Sequence, residues 1–492
     1  MADVELIPGK KYAPAQLGHV LIVGLGKSGQ AAVRYCLDLL GSRVSAITVS
    51  AGKRNPAAEA FAAELEGADI DFRFEYEDIQ GHFDLCIISP GISDLSDLYK
   101  RAAAVSDEIL SELEFAWRES DADSIWVAIS GTNGKTTTTS LITHLFKAAG
   151  KRAAAVGNIG EVALGVVAHA PVDVYCAEVS SFQLATMSRF APEAAVLLNI
   201  TPDHITWHGS MERYIEAKAQ LLTALERSAA CGKPVAVLDC TNDIVAALAA
   251  ERPSLGESVA AIRLADAPAA NAAYVNAEGR LAVAFPEEAA LCAVEDLQIK
   301  GEHNVLNALA AASAALAMGV PAEVVIAGLK SFAPLHHRIE PCGSARGISY
   351  FNDSKGTNVD ATLKAFTAFA PRTAICLLGG TDKGTDLAPL VEAAQEKLKA
   401  VVCYGASRPR FLEAFGVAAD APEGAQFHVG EIDVLVASGM RDAARAASVY
   451  ASAGDCVLLS PACASFDEFT GYDQRGNVFK DLVRQEFCGD DC

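Results

Sequence analysis

The sequence predicts an α/β chain of three domains: a Rossmann-like N-terminal domain, a central P-loop ATPase-like domain with a parallel sheet, and a Rossmann-like C-terminal domain. Three observations predict it. Short β-branched runs alternate with Ala/Leu-rich helical stretches throughout, the pattern of parallel strands covered by helices. The strand–glycine loop–helix unit restarts, near residue 19 and near residue 125, and a further strand series begins after Pro334. The chain's 492 residues exceed what one hydrophobic core accommodates.

The elements follow in order. Residues 19–23 read as a strand and 27–40 as a helix, with Gly24-Leu25-Gly26-Lys27-Ser28-Gly29 at their junction. Residues 44–49 form the next strand, and 85–89 a later one that runs into Pro90-Gly91. The polar stretch 121–124 precedes a buried strand, so the first domain is expected over 1–123. Strand 126–130 and helix 136–149 open the second domain, expected over 124–334, with 174–179 and 195–200 as further strands. Residues 250–290 are rich in alanine and acids and lack motifs; they read as a variable excursion of that domain. The third domain is expected over 335–492, with apolar strands at 374–378, 400–404 and 456–459.

Composition excludes several function classes. Half the residues are hydrophobic (51%), and 40 Lys and Arg against 62 Asp and Glu leave a net charge of −22. Such a chain repels a phosphate backbone, so no nucleic-acid partner is expected, and any phosphate ligand must be held by local groups. The 13 cysteines are scattered singly, without a CxxC pair, which fits reduced core thiols better than disulfides or zinc. No apolar run precedes Gly18, so no signal peptide is expected. No stretch approaches the ~20 apolar residues of a membrane span. A cytoplasmic monomer without membrane insertion is the expectation.

The strongest local signal is Gly131-Thr132-Asn133-Gly134-Lys135-Thr136-Thr137, between a strand and a helix. Small residues there let backbone N–H groups approach phosphate oxygens, and the helix N-terminus adds partial positive charge. Lys135 is expected to reach the outer phosphates of ATP, and the Thr136 hydroxyl to ligate Mg²⁺. The spacing departs from the common pattern, because Ile129 stands where its first glycine belongs. The earlier glycine loop at 24–29 suggests a dinucleotide fold, but strand 44–49 runs into Ser50, Ala51, Gly52 and Lys53 with no acid for ribose hydroxyls. An NAD-dependent oxidoreductase and a loop for another pyrophosphate both stay open on that motif alone.

Polar residues then cluster at strand C-terminal ends, where α/β sheets bind ligands. Glu178 ends one strand, and Asn199-Ile200-Thr201-Pro202-Asp203-His204 ends another; Glu178 and His204 could face a phosphate-bound Mg²⁺ or simply cap their strands. Lys218, on a helix, reads by pattern as a solvated face residue. Asn304 and Asn307 share a helix face at i and i+3 and could read an adenine edge. Late segments after apolar strands carry His337-Arg338, the run 352–358 from Asn352 to Asn358, the run 379–384 with Lys383, and the run 460–467 with Ser465 and Phe466. Together they gather cations and hydroxyls where an anionic substrate could dock.

These residues, in order along nearly the whole chain, resemble the Mur ligases. GTNGKTT alone belongs to a wider superfamily that includes folylpolyglutamate synthetases. GLGKSG with SPGI, EVSSFQL, NITPDH, NDSKGTN, GGTDKGTDL and SPACASFDEFTGYDQRG resemble the D-glutamate-adding branch. The resemblance implies an ATP-dependent ligase that joins D-glutamate to UDP-N-acetylmuramoyl-L-alanine, with ATP and Mg²⁺ as cofactors. It implies that 131–137 cradle ATP, and that Lys135, Glu178, His204 and Lys218 form the catalytic and metal set with Thr136, Lys218 being the lysine that members carbamylate. It further implies adenine contacts at Asn304 and Asn307, a phosphate contact at Arg338 and a ribose contact at Asp353. D-Glutamate would meet Lys355, Thr357, Lys383, Ser465, Phe466 and Tyr472. The UDP-sugar would meet Ser28, Ser89, Gly91 and Asn158. Two departures stand out: no acid lies near Ser50 for the uridine, and Gly356 replaces the usual alanine, a change read as neutral. The alternatives are another Mur- or folylpolyglutamate-type ligase, a non-catalytic nucleotide-binding regulator and, on the first glycine loop, the oxidoreductase.

Overall fold

A computed structural model describes residues 5–75, 78–228, 234–262, 271–285, 287–382 and 384–488. The chain folds into two compact units, one formed by Met1–Asp296 with Leu306–Ser331, the other by Leu297–Val305 with Phe332–Cys492.

The first unit contains two sheets. The N-terminal one has five parallel strands in the order Asp71–Phe74, Val44–Gly52, Gly18–Val23, Leu85–Ile88, Ile109–Ser111. Strand Leu85–Ile88 is buried along its length and Gly18–Val23 from Val20 onward, as strands covered on both faces must be. The second sheet has nine strands. Ile125–Ser130 lies between Ala194–Leu197 and Val174–Glu178, with Ala153–Gly157 at one edge and Val235–Asp239 beyond Ala194–Leu197, all parallel.

Four further strands extend that sheet: Val259–Ile262, Ala272–Val275, Arg280–Ala284 and Glu288–Ala293, the last two in antiparallel hairpins. They occupy most of the region read from sequence as a variable excursion of the middle domain. Alanine, which dominates them, carries little strand preference, so their pairing comes from the sheet edge they continue.

Both sheets share one hydrophobic cluster, from Val20 and Ile22 through Leu113, Phe115 and Ala116 to Trp126 and Phe190. Helix Glu112–Glu119 is buried over its whole length within it. Its acids are matched: Glu114 accepts from the Ser188 and Arg189 backbone N–H at 2.6 and 2.8 Å, and Glu119 accepts both Nη groups of Arg43.

The second unit is built on a seven-stranded sheet in the order Glu340–Ala345, Ile348–Asn352, Cys456–Leu459, Ala374–Gly379, Ala400–Tyr404, Ile432–Val436, Gln426–Val429. The five inner strands are parallel and each edge strand is antiparallel. Separate apolar clusters cover its two faces. No helix among the described residues is long and apolar enough to cross a membrane.

Candidate active site

The phosphate-type loop leaves strand Ile125–Ser130 and enters helix Lys135–Ala148. Ile129 is a fully buried strand residue in register with Glu178, which explains the missing glycine: the turn starts only after Ser130. Gly134 has φ 85°, and a Cβ there would meet Asn307 Oδ1 at 2.4 Å and Leu198 Cδ1 at 3.0 Å. The position therefore excludes any other residue on both conformation and space.

The loop is shaped by the 199–204 segment. Asn199 Oδ1 accepts the Asn133 N–H at 2.9 Å while its Nδ2 donates to Asn133 O at 3.1 Å, a side-chain amide standing in for a strand partner. The Thr132 N–H donates to Asn199 O at 2.7 Å, and Thr132 Oγ1 donates to Thr201 O and lies 2.9 Å from the Tyr214 hydroxyl. Asn199 and Tyr214 were not singled out from sequence. Asn199 lay inside a quoted motif, but a clamp on a neighbouring loop has no local signature.

Two lysines converge on one carbonyl. Lys135 Nζ donates to Gly131 O at 2.9 Å and Thr132 O at 2.8 Å, and Lys218 Nζ donates to the same Gly131 O at 2.8 Å. Lys218, expected from pattern to be solvated, is 2% exposed, with its ammonium 4.9 Å from the Tyr214 ring centre. Burial, with Lys135 adding repulsion, holds its pKa well below the usual lysine range. That surface-type reading is corrected: helix Met211–Ser228 buries the face that carries Lys218.

Glu178, at the end of its strand, accepts from Thr136 Oγ1 at 2.8 Å and from Asn158 Nδ2 at 2.9 Å. Asn158, expected at the UDP-sugar, is thus joined to Glu178 and Thr136. His204 has φ 53°, faces solvent, and sits with its ring 4.8 Å from that of Phe182. His208, which the sequence reading passed over, is buried against Ser181 Oγ at 2.9 Å, and burial pulls its pKa down to about 4. Asn307 receives the Thr138 hydroxyl at 3.2 Å and presses on Gly134, which puts it against the phosphate-type loop. Thr137 is buried on the same helix.

In the N-terminal sheet, Gly24 (φ 91°) leaves no room for a Cβ, which would fall 2.6 Å from Ser89 Oγ. Ser89 Oγ is itself buried without a hydrogen-bond partner among the described residues. Ser28 is in the first turn of helix Lys27–Asp38, and Gly91 lies in the exposed turn after Leu85–Ile88.

In the second unit, Asp353 is buried, accepts from Ser460 Oγ at 2.7 Å and from the Ile339 N–H at 3.3 Å, and is pushed up to about 7 by burial. At Gly356, read as a neutral replacement for alanine, a Cβ would lie 2.6 Å from Asp353 Oδ2. Arg338 has a buried Nε without a partner. The Lys355 ammonium lies 5.3 Å from the centre of the Tyr472 ring. Thr357 shares the 352–358 turn with Lys355, Ser465 is buried and Phe466 is 71% exposed. Asn304, also in this unit, donates to Lys300 O at 2.8 Å. Lys383 lies outside the described residues.

Two family models match the chain, the Mur ligase middle domain over residues 129–315 and the Mur ligase glutamate ligase domain over 337–463. The chain belongs to the Mur ligase family. Members of this family are ATP-dependent amino-acid ligases. A Thermoanaerobacter pseudethanolicus relative named UDP-N-acetylmuramoylalanine–D-glutamate ligase is 35% identical over 472 residues, 95% of this chain and 98% of the relative. A Streptomyces coelicolor protein of the same name is 36% identical over 479 residues, with 95% and 98% covered. Among solved structures, a pseudomurein peptide ligase type C from Methanothermus fervidus (17% identity, TM-score 0.55) and a UDP-N-acetylmuramate–alanine ligase from Thermotoga maritima (18%, 0.54) share the fold, each over 95% of this chain and 100% of theirs.

Proposed function

We propose that the protein joins D-glutamate to UDP-N-acetylmuramoyl-L-alanine in the cytoplasm, as a monomer, with hydrolysis of ATP to ADP and phosphate. The observation that carries this is the Gly131–Thr137 turn with Thr136 and Glu178 bonded at 2.8 Å beside it, in a chain aligned almost end to end with relatives of that name.

The chemistry requires activation, because a carboxylate in water offers no leaving group to an amine. Phosphorylation of the acceptor's alanyl carboxylate by ATP forms a C–O–P bond and releases ADP. The amine of D-glutamate then attacks the acyl carbon, loses a proton, and phosphate departs as the amide forms. Lys135 supplies positive charge at the transferring phosphoryl group, where most of such catalysis lies. Backbone N–H groups at the start of helix Lys135–Ala148 add their partial charge.

The donor set of Thr136 hydroxyl and Glu178 carboxylate is all oxygen and suits a hard cation such as Mg²⁺. Thr136, Glu178 and His204 would hold it, with Lys218 once carbamylated. Bound there, Mg²⁺ screens the charge on phosphate oxygens. Lys218 supports that role: its burial favours the neutral amine, the form that adds to CO₂ to give a carbamate, and the resulting anion sits beside Lys135. Lys355, Thr357, Lys383, Ser465, Phe466 and Tyr472 are assigned to D-glutamate, Asn304, Asn307, Arg338 and Asp353 to the nucleotide, and Ser28, Ser89, Gly91 and Asn158 to the UDP-sugar.

Phosphate release with ATP, Mg²⁺, the UDP-muramoyl-alanine acceptor and a panel of D- and L-amino acids tests the reading. Release that requires both the acceptor and D-glutamate is expected; equal release with an L-amino acid, or none with the full set, overturns it.

A further inference from the structure

Helix Tyr472–Leu482 carries a buried cation, Arg475, which lies inside the SPACASFDEFTGYDQRG run but has no role assigned from sequence. Arg475 is 1% exposed. Its Nε donates to Ser354 Oγ at 3.0 Å, Nη2 to Ser354 O at 2.8 Å and to Cys463 O at 3.0 Å, and Nη1 to Ala464 O at 3.2 Å. Ser354 Oγ passes its own proton on to Tyr472 O at 2.7 Å. One guanidinium therefore ties the 352–358 turn, which bears Lys355 and Thr357, to the 460–467 loop, which bears Ser465 and Phe466.

A third loop joins them. Thr381 and Ala464 exchange both backbone hydrogen bonds, at 2.8 and 3.0 Å, and a Cβ on Gly380 would lie 2.1 Å from Ala464 O and 3.1 Å from Arg475 Nη1. The fork is thus enclosed by all three segments assigned to the amino acid. A guanidinium offers five donors in a fixed planar array for carbonyls and a hydroxyl on two loops, against the three that a lysine ammonium presents from a single point.

The charge matters as well as the shape. Among the described residues every hydrogen bond from Arg475 ends on an uncharged oxygen, while the carboxyls of Asp353 and Glu468 lie near enough to feel its charge. In a poorly screened interior, that charge acts at longer range than a surface one.

We propose that Arg475 is the positioning residue of the amino-acid pocket: it sets the spacing between the Lys355 and Ser465 loops and adds buried positive charge, so that it governs capture of a dicarboxylic amino acid. The proposal rests on the reading that these loops receive the amino acid. Arg475 does not touch the reacting atoms; its effect is on affinity for one substrate.

Steady-state kinetics on the full chain tests it, with Arg475→Gln, Arg475→Lys and Ser354→Ala, the last removing the Nε contact together with the Ser354 Oγ–Tyr472 O bond and deciding the matter should the arginine variants not fold. Arg475→Gln is expected to raise KM for D-glutamate by about tenfold or more, the scale of hydrogen bonds lost from a charged group. KM for ATP and for the UDP-linked acceptor should stay within about twofold. Arg475→Lys should recover part of the loss, and Ser354→Ala should shift the same KM in the same direction by less. An unchanged KM for D-glutamate, or equal rises for all three substrates, overturns the role of Arg475 while leaving the ligase reading intact. ADP release from the unmodified chain that ignores D-glutamate overturns the pocket reading and the proposal with it.

Discussion

At the residue scale, the site depends on a few side chains whose roles follow from what they touch. Lys135 and Lys218 donate to one carbonyl, Gly131 O, and this concentrates positive charge on a chain whose net charge is −22. Removing one preorganised charge of this kind costs about a hundredfold in rate. Lys135→Ala should accordingly lose about a hundredfold or more in turnover with its fold intact, read as ADP formation alongside an unchanged circular dichroism spectrum. Retention of the parent rate would remove the loop from the mechanism. Lys135 was evident in the sequence because its role is local: strand, small residues, lysine, helix. Lys218 was not, because an isolated lysine in a helix carries no mark of the neighbours that bury it.

At the element scale, helix Glu112–Glu119 shows how composition misleads. Its sequence, ELEFAWRE, has the charge content of a solvated helix, yet every residue is buried. Glu114, Arg118 and Glu119 are paired, whereas among the described residues the Glu112 carboxylate accepts only from the Leu164 N–H, at 2.7 Å, and is raised by burial from 4.5 to about 7. A carboxyl whose folded pKa exceeds its unfolded one stabilises the fold fully below the unfolded value. That contribution is lost as pH rises through the folded value. The window runs from 4.5 to about 7, and the shift corresponds to about 3 kcal/mol. Glu112→Gln keeps an acceptor for Leu164 and removes the titration. Urea unfolding at pH 5 and pH 8 should show the parent losing about 2 kcal/mol or slightly more relative to the variant across that interval, since part of the shift lies below pH 5. Identical pH dependence in the two would mean that Glu112 is ionised in the folded protein.

At the scale of the whole molecule, the chain forms two compact units, each with its own hydrophobic clusters. The nucleotide loop lies wholly in the first unit, in strand Ile125–Ser130 and helix Lys135–Ala148. A ligand that binds only the folded state stabilises it by ~2.7 kcal/mol at a hundred times its Kd. ATP with Mg²⁺ should raise the calorimetric transition of the unit that holds this loop by that order, whatever it does to the second, and Lys135→Ala should abolish that shift. A nucleotide-induced shift that survives Lys135→Ala in full would place the nucleotide elsewhere.

By itself the sequence determined the alternation of strand and helix, the restart of glycine loops, and the motif residues at strand ends. Each is written within a few residues: β-branched runs, a left-handed glycine, a lysine at a helix start. Only the tertiary structure decided the rest. The alanine-rich strands between Val259 and Ala293 form because the edge of an existing sheet is there to extend, a partner that their own composition does not announce. Lys218 meets Gly131 across 87 residues, and Arg475 meets Ser354 across 121. Short-range pattern holds no record of such pairs, because burial and hydrogen-bond partners are properties of the packed chain.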